Sequence, residues 1–194
     1  EKTLAIFVSQ SGETADTLAA LRLAKSQGAT TIAIANVLGS TISRDADYVL
    51  YTCAGPEIAV ASTKAYTTQL VLLILLACYI ADRLGFVLDA KLLEELPHIS
   101  DHIAHLLEDH ERFAKYAKLL EDQRDAYFIG RNLDYASVLE GALKLKEVSY
   151  VHADAYVAGE LKHGPIALIE EGSVVIAVAT QPQIASKTIN NIQE

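Results

Sequence analysis

Four neutral hydrogen-bond donors are crowded into one short segment near the start of the chain. Residues 4–24 read "LAIFVSQSGETADTLAALRLA", in which an apolar run typical of a buried strand stops at Val8. Apolar residues at helical spacing begin only after the polar segment. Between the two lie Ser9, Gln10, Ser11 and Thr14.

The start of a helix is suited to binding an anion. Its first backbone N–H groups have no partner within the helix, and the helix dipole places partial positive charge there. Gly12 permits a turn and a close approach by a ligand. The segment therefore predicts a phosphate site that needs neither Lys nor Arg. Simple capping of the helix by a hydroxyl is the alternative explanation.

A second candidate segment is "PEIAVASTKAYTTQL", residues 56–70. Ser62 and Thr63 precede a strong helical pattern, and Lys64 lies beside them. The pattern fits a binding loop and a capped helix start equally well.

Three charged residues share one face of a third segment, "LEGALKLKEVSYVHA". Glu140, Lys144 and Glu147 have the spacing i, i+4, i+7 and are flanked mostly by apolar positions. A solvated salt-bridge stripe is one explanation. The other is a stripe facing a cleft, in which a carboxylate acts as general base beside a cation.

A histidine in a constrained loop completes the set. His163 lies between Gly159 and Pro165 in "AGELKHGP". Imidazole both accepts and donates protons near neutral pH, so His163 is a candidate for proton transfer. The other histidines of residues 98–110 are spaced too loosely to predict a metal site.

Composition narrows the functional classes. The net charge of −9 argues against a nucleic-acid binder, although it leaves room for a small anionic ligand. Two cysteines are too few for a disulfide framework and indicate a cytoplasmic protein. The apolar run "LVLLILLACYIA", residues 70–81, is shorter than the roughly 20 residues of a membrane span, so it predicts a core helix or a helix buried between subunits.

Strands and helices alternate along the chain, which predicts a parallel α/β fold. The pattern of residues 1–60 returns loosely after residue 120, as if a second copy began there. The predicted strands are residues 4–8, 30–36, 48–52, 125–132 and 173–180. The predicted helical segments are residues 16–27, 58–84, 90–120 with a break near Pro97, and 133–153.

Taken together, the four segments resemble one enzyme family. "SQSGETADTL", "GPEIAVASTKAYTTQL", "EGALKLKEVSYVHA" and "GELKHGP" are similar, in the same order and spacing, to the isomerase half of the glucosamine-6-phosphate synthase family, built from sugar isomerase (SIS) domains. The resemblance covers essentially the whole chain. It implies a flavodoxin-like, three-layer αβα sandwich with a parallel sheet.

The resemblance also implies a role for each candidate residue. Ser9, Gln10, Ser11 and Thr14 would hold the sugar phosphate, and Val60 and Ser62 would line the sugar site. Glu147 would move a proton between C1 and C2 of the sugar, with Lys144 beside it. His163 would assist ring opening in a neighbouring subunit's site. Such catalysis requires neither a metal nor an organic cofactor.

The family's layout further implies a division of the chain and a set of partners. Residues 1–122 would form a first SIS domain lacking its initial strand and loop, with connecting helices, and residues 123–194 an incomplete second one. The expected partners are fructose 6-phosphate or glucosamine 6-phosphate, a glutamine-hydrolysing domain elsewhere in a longer protein, and a second copy in a homodimer. A stand-alone phosphosugar isomerase and a non-catalytic sugar-phosphate sensor are the alternatives.

Overall fold

A computed structural model describes residues 3–194 of the chain. The contacts divide the chain into two units, residues 1–100 and 101–194, which are described separately. The proposed domain boundary between residues 122 and 123 stays a prediction.

The first unit contains a parallel three-stranded sheet, as the sequence pattern predicts. Its strands are β1 (Leu4–Ser9), β2 (Thr30–Ala35) and β3 (Tyr48–Tyr51), in the order β1-β2-β3. Helix α1 (Ala15–Ser26) connects β1 to β2, and a short helix α2 (Thr41–Asp45) connects β2 to β3. The sequence analysis did not predict α2, because five residues are too few to show a helical period.

The core of this unit lies between α1, α2 and the sheet. Leu21 and Ile42 are fully buried against Ala33 and Ala35 of β2. Burying a leucine side chain of this kind stabilises a fold by about 1.5–3 kcal/mol. The small β2 residues let both helices approach the sheet and fix the position at which the β1–α1 loop emerges.

A carboxylate ties the start of β3 to β2. Asp47 Oδ2 accepts hydrogen bonds from the backbone N–H of Thr31 at 2.9 Å and from its hydroxyl at 2.8 Å, and Lys25 Nζ lies 3.0 Å from Asp47 Oδ1. The backbone hydrogen bond from Thr31, followed by those from Lys25 and the Thr31 hydroxyl, lowers the pKa of Asp47 to about 2.

This low pKa predicts a defined pH dependence. Because the folded-state pKa lies below the ordinary value of 3.8, the ionised Asp47 stabilises the fold above about pH 4, and that contribution is lost as the pH falls from about 4 to 2. We expect Asp47→Asn to reduce the fall in melting temperature over this range. Asp16→Asn, at an exposed position of α1, is the control. Equal pH profiles for wild type and Asp47→Asn would refute the assignment.

The apolar segment forms a single long helix, α3 (Lys64–Arg83). It begins six residues later than predicted, since residues 58–63 are not helical. Among the described residues, this is the one helix long and apolar enough to cross a membrane, by length and composition alone. Only 6% of its most apolar window is buried, and Ala65 is its one buried residue. Within this chain α3 is therefore not a core helix, and its burial between subunits, the other alternative, stays a prediction.

The segment after α3 is helical with the predicted interruption. It comprises α4 (Ala90–Glu95), a 3-10 turn at Leu96–His98, α5 (Ile99–Leu107) and α6 (His110–Lys118). Pro97 lies in the 3-10 turn, where its missing N–H and fixed φ angle disfavour a continuous α-helix.

The second unit also contains a parallel three-stranded sheet. Strands β4 (Asp125–Gly130), β5 (His152–Val157) and β6 (Val174–Ala177) are arranged in the order β5-β4-β6. Helix α7 (Leu133–Ser149) connects β4 to β5, and α8 (Pro182–Gln193) follows β6. Two 3-10 turns, Leu161–His163 and Pro165–Leu168, lie between β5 and β6.

The predicted end of α7 was wrong. Helix was predicted to residue 153, whereas α7 ends at Ser149, and Tyr150 adopts a left-handed conformation with φ of 63°. The next residues form β5, which was not predicted. The segment "HADAYV" combines alanine with an acidic residue and lacks the β-branched run expected of a strand, so its pairing with β4 decides its conformation.

Candidate functional site

The conformation of the loop after β1 is stabilised by one buried hydroxyl, that of Ser9. Ser9 Oγ accepts a hydrogen bond from the backbone N–H of Gly12 at 3.0 Å and lies 3.2 Å from Thr14 Oγ1. Ser11 Oγ accepts from the backbone N–H of Glu13 at 3.2 Å. Ser9 is buried, Ser11 and Gln10 are half-buried and Thr14 is exposed. The Ser9 hydroxyl thus stabilises the turn of the loop, whereas Ser11 and Thr14 lie closer to the solvent.

Capping does not explain these hydroxyls. Thr14 is the N-cap residue of α1, yet its side chain makes no capping hydrogen bond. The Ser11 hydroxyl bonds to Glu13, which precedes the helix. The Ser11 hydroxyl only accepts here and so keeps its own proton for a ligand, and Thr14 keeps its proton when Ser9 is the donor of their shared hydrogen bond.

Three hydrogen bonds fix this loop to the residue after β2 and to the first turn of α2. Gln10 O accepts from Asn36 N at 3.1 Å and Gly12 O from Ile42 N at 3.0 Å. Glu13 Oε1 accepts from Thr41 N at 2.7 Å, and this backbone hydrogen bond lowers the pKa of Glu13.

Gly12 is required where it stands. Its φ is +69°, and a Cβ there would lie 2.2 Å from Ser40 Oγ. Any larger residue would push the loop away from the buried Ser40.

Asn36 extends the same hydrogen-bond network to the β3–α3 loop. Its Oδ1 accepts from Thr52 Oγ1 at 3.0 Å and from Ala54 N at 2.9 Å, and its Nδ2 donates to Gly55 O at 2.7 Å. The sequence analysis missed Asn36, although an asparagine directly after a buried strand is a recognisable signal for a loop-organising side chain.

The two residues predicted to line the sugar lie later in the same β3–α3 loop. Val60 is fully exposed, and Ser62 is half-buried with its hydroxyl donating to Glu57 Oε2 at 3.4 Å. Glu57 Oε2 also accepts from Ala65 N at 3.2 Å, a bond that lowers the pKa of Glu57. The start of α3 is thus capped by Glu57, a second residue that the sequence analysis missed.

The acidic and basic stripe of α7 forms a close ion-pair group. Lys144 Nζ contacts Glu147 Oε2 and lies 3.7 Å from Glu140 Oε1. All three side chains are only a quarter to a third exposed. The hydrogen bond with Glu147 raises the pKa of Lys144, so its ammonium group remains charged beside the two carboxylates.

His163 ends the first 3-10 turn after β5 and is exposed to solvent. Its backbone N–H donates to Glu160 O at 3.1 Å, which holds the turn. Within residues 3–194, no group of three His, Cys, Asp or Glu side chains could hold a metal ion.

Comparison with known families places this geometry in context. The family model described as "SIS domain" matches residues 1–79 and 119–194, which include every candidate residue named above. The chain belongs to the SIS-domain family. Both matched regions begin at or just before a parallel sheet.

Two curated relatives of this SIS chain share one name. The glutamine–fructose-6-phosphate aminotransferase (isomerizing) of Clostridium tetani is 59% identical over 99% of the chain, and that of Symbiobacterium thermophilum is 57% identical over all of it. The chain spans about a third of each relative's length (32%).

A solved structure has a similar fold as well as a similar sequence. The C-terminal domain of glucosamine-fructose-6-phosphate aminotransferase from Francisella tularensis matches with a TM-score of 0.94 and 43% identity. The match covers 98% of this chain and 55% of that one. The SIS-type α/β fold with parallel sheets, implied by the sequence resemblance, is thereby confirmed.

Proposed function

We propose that this chain is the sugar-phosphate-binding isomerase portion of a glutamine–fructose-6-phosphate aminotransferase. The whole protein would convert fructose 6-phosphate and glutamine-derived ammonia to glucosamine 6-phosphate. The observation that carries the proposal is the loop after β1, in which the Ser11 hydroxyl keeps its donor and Thr14 is exposed beside it while hydrogen bonds to neighbouring segments hold the backbone in place.

The phosphate group would be bound by Ser9, Gln10, Ser11 and Thr14. A rigid loop suits this task because its donors are already oriented, so little conformational entropy is lost on binding. Neutral donors also suit an acidic chain. A Lys or Arg could form an ion pair with one of the chain's carboxylates instead of the phosphate, whereas neutral donors form no such ion pairs. Val60 and Ser62 would line the sugar, with Glu57 and Asn36 holding the loop that carries them.

Glu147 would act as the base of the isomerisation. Its carboxylate would remove a proton from C1 of the sugar and return it to C2, while the O1 proton passes to the heteroatom on C2, so that the carbonyl group moves from C2 to C1 and the ketose becomes an aldose. Lys144 would hold the carboxylate in place through their ion pair. During ring opening, His163 would transfer protons in the site of a neighbouring subunit. The ring oxygen gains a proton in this step and the anomeric hydroxyl loses one.

The remaining assignments concern the longer protein. Residues 1–122 and 123–194 would belong to successive SIS domains, and a glutamine-hydrolysing domain would supply ammonia. A cytoplasmic location fits the two cysteines, Cys53 and Cys78, which are both free.

We further propose a homodimer that covers α3. Leu70, Leu75 and Tyr79 of this helix are 42–58% exposed, an apolar surface that a second copy would bury. Sedimentation of the full-length protein should give a dimer, and Leu75→Glu should shift it toward monomer. A monomeric wild type at micromolar concentration would exclude this arrangement.

Calorimetry on the full-length protein tests the proposed function. Fructose 6-phosphate and glucosamine 6-phosphate should bind, whereas glucosamine, which lacks the phosphate, should bind at least about a hundredfold more weakly, because it forfeits several charge-assisted hydrogen bonds. Conversion without glutamine or ammonia would favour a stand-alone isomerase, and binding without any turnover would favour a sensor. Equal binding of glucosamine and its phosphate would exclude the proposal.

A further inference from the structure

The second unit has a ligand-binding position of its own in the fold. β4 is the central strand, with β5 on one side and β6 on the other. The chain passes from β4 to β5 and then returns across β4 to β6, so the strand order reverses at β4. In open parallel α/β sheets, ligands bind beyond the carboxyl ends of the strands at such a reversal. In this unit, the residue directly after β4 is Arg131.

The Arg131 guanidinium is held by a neutral partner. Its Nε and Nη2 both donate to Asn191 Oδ1 of α8, at 3.1 and 2.7 Å. Its own carbonyl oxygen accepts from Gln181 Nε2 at 3.0 Å, so backbone and side chain are both fixed. Gly159, after β5, makes room for the group, because a Cβ there would lie 2.6 Å from Arg131 Nη2.

This half-buried side chain has no direct carboxylate partner in the described part of the chain, although Asn191 itself donates to Glu194 Oε2 at 3.3 Å. Arg131 forms no ion pair with any of residues 3–194, although the chain carries 25 acidic residues. A guanidinium has five N–H donors, and two are used by Asn191, so three remain without an acceptor in the described part of the chain.

The carboxylate closest in sequence is engaged elsewhere. Asp134 is buried, and its oxygens accept hydrogen bonds from the Thr180 hydroxyl and from Thr180 N at 3.1 Å. Burial alone would raise the pKa of Asp134, but the hydrogen bonds from Thr180 and Gln181 outweigh it and lower the pKa. Asp134 thus stays ionised and anchors the loop after β6.

We propose that Arg131 is the anchor of a second oxyanion site, built from residues of the second unit. A planar guanidinium presents parallel N–H groups that match the oxygens of a phosphate or carboxylate. The ligand class is therefore a small metabolite carrying one of these groups. The proposal rests on the second unit alone and does not depend on the proposed isomerase function.

Phosphate binding by the full-length protein tests this site. The first site is removed by Ser11→Ala together with Thr14→Ala, and equilibrium dialysis then follows radiolabelled inorganic phosphate. Saturable binding should remain in this background, and adding Arg131→Gln should weaken it at least tenfold. Arg124→Gln is the matched control, because Arg124 is an exposed arginine just before β4, at the opposite end of the same strand. Competition by citrate against phosphate separates a carboxylate ligand from a phosphate one.

Arg131→Lys guards against a folding defect. It keeps the charge but loses the planar fork, so binding should weaken severalfold while the melting temperature stays within a few degrees of the wild type. Absence of saturable phosphate binding in the Ser11/Thr14 background would overturn the proposal. In that background, so would equal binding by the Arg131→Gln and Arg124→Gln proteins, or by proteins with and without Arg131→Lys if Arg131→Gln does not fold.

Discussion

Replacing Glu147 by Gln is expected to lower the isomerisation rate of the full-length protein by about 10²- to 10⁴-fold. The amide has nearly the same shape as the carboxylate but cannot accept a proton from carbon. Because Glu147 is assigned to proton transfer rather than to phosphate binding, the dissociation constant for fructose 6-phosphate should change much less than the rate. Exchange of the C1 hydrogen with solvent, followed by NMR, measures the affected step directly.

The ion-pair group of α7 allows Glu147 to be changed without leaving Lys144 unpaired. Glu147→Gln removes one of the two carboxylates near Lys144 while Glu140 Oε1 remains 3.7 Å from the ammonium group, so Lys144 keeps a partner. Glu171→Gln, an exposed change in the loop before β6, is the matched control and should leave the rate unchanged. Full activity in Glu147→Gln would show that another group is the base.

Replacing Ser11 and Thr14 together by Ala is expected to weaken sugar-phosphate binding by about 10²- to 10⁴-fold. A hydrogen bond to a charged group contributes about 1.5–3 kcal/mol, and two such bonds to the phosphate would be lost. The melting temperature should fall little, since neither hydroxyl caps α1. Calorimetry with glucosamine 6-phosphate and a thermal melt of the same variant measure the two quantities.

Two further variants, Ser26→Ala and Ser9→Ala, separate a loss of binding from a loss of stability. Ser26→Ala, which removes an exposed hydroxyl at the end of α1, is the control and should leave affinity unchanged. Ser9→Ala should behave differently from the Ser11/Thr14 pair, because Ser9 Oγ accepts from Gly12 N and its loss should lower stability as well as affinity. A double variant that melts early but binds normally would show that the hydroxyls serve the fold alone.

Much of the first unit could be predicted from the sequence because its signals are local. The apolar run of β1, the helical period of α1 and the β-branched run of β2 each act within about ten residues, and the structure confirms all three. The second unit was less predictable at β5, where a weak strand sequence follows a strong helix. There the long-range pairing with β4 overrides local preference.

The supporting residues of the site were not visible in the sequence for a different reason. Asn36, Glu57 and Glu13 act on backbone groups 8 to 28 residues away, and no local pattern shows which N–H or carbonyl a side chain will reach. The loop was found through its donors, whereas the bonds that make it rigid depend on tertiary contacts.

The sequence by itself determined which functional groups this protein carries and how they are spaced: neutral donors after the first strand, a carboxylate beside a lysine on one helix face, and a histidine in a tight turn. Residue types and spacings carry that information directly, because chemistry depends on functional groups and local periods set which of them share a face. The tertiary structure alone decided which hydroxyl holds the turn of the first loop, that Glu57 caps α3, and that Arg131 has no ion-pair partner among residues 3–194. These outcomes depend on packing and strand order, which bring distant residues together in ways that no short segment encodes.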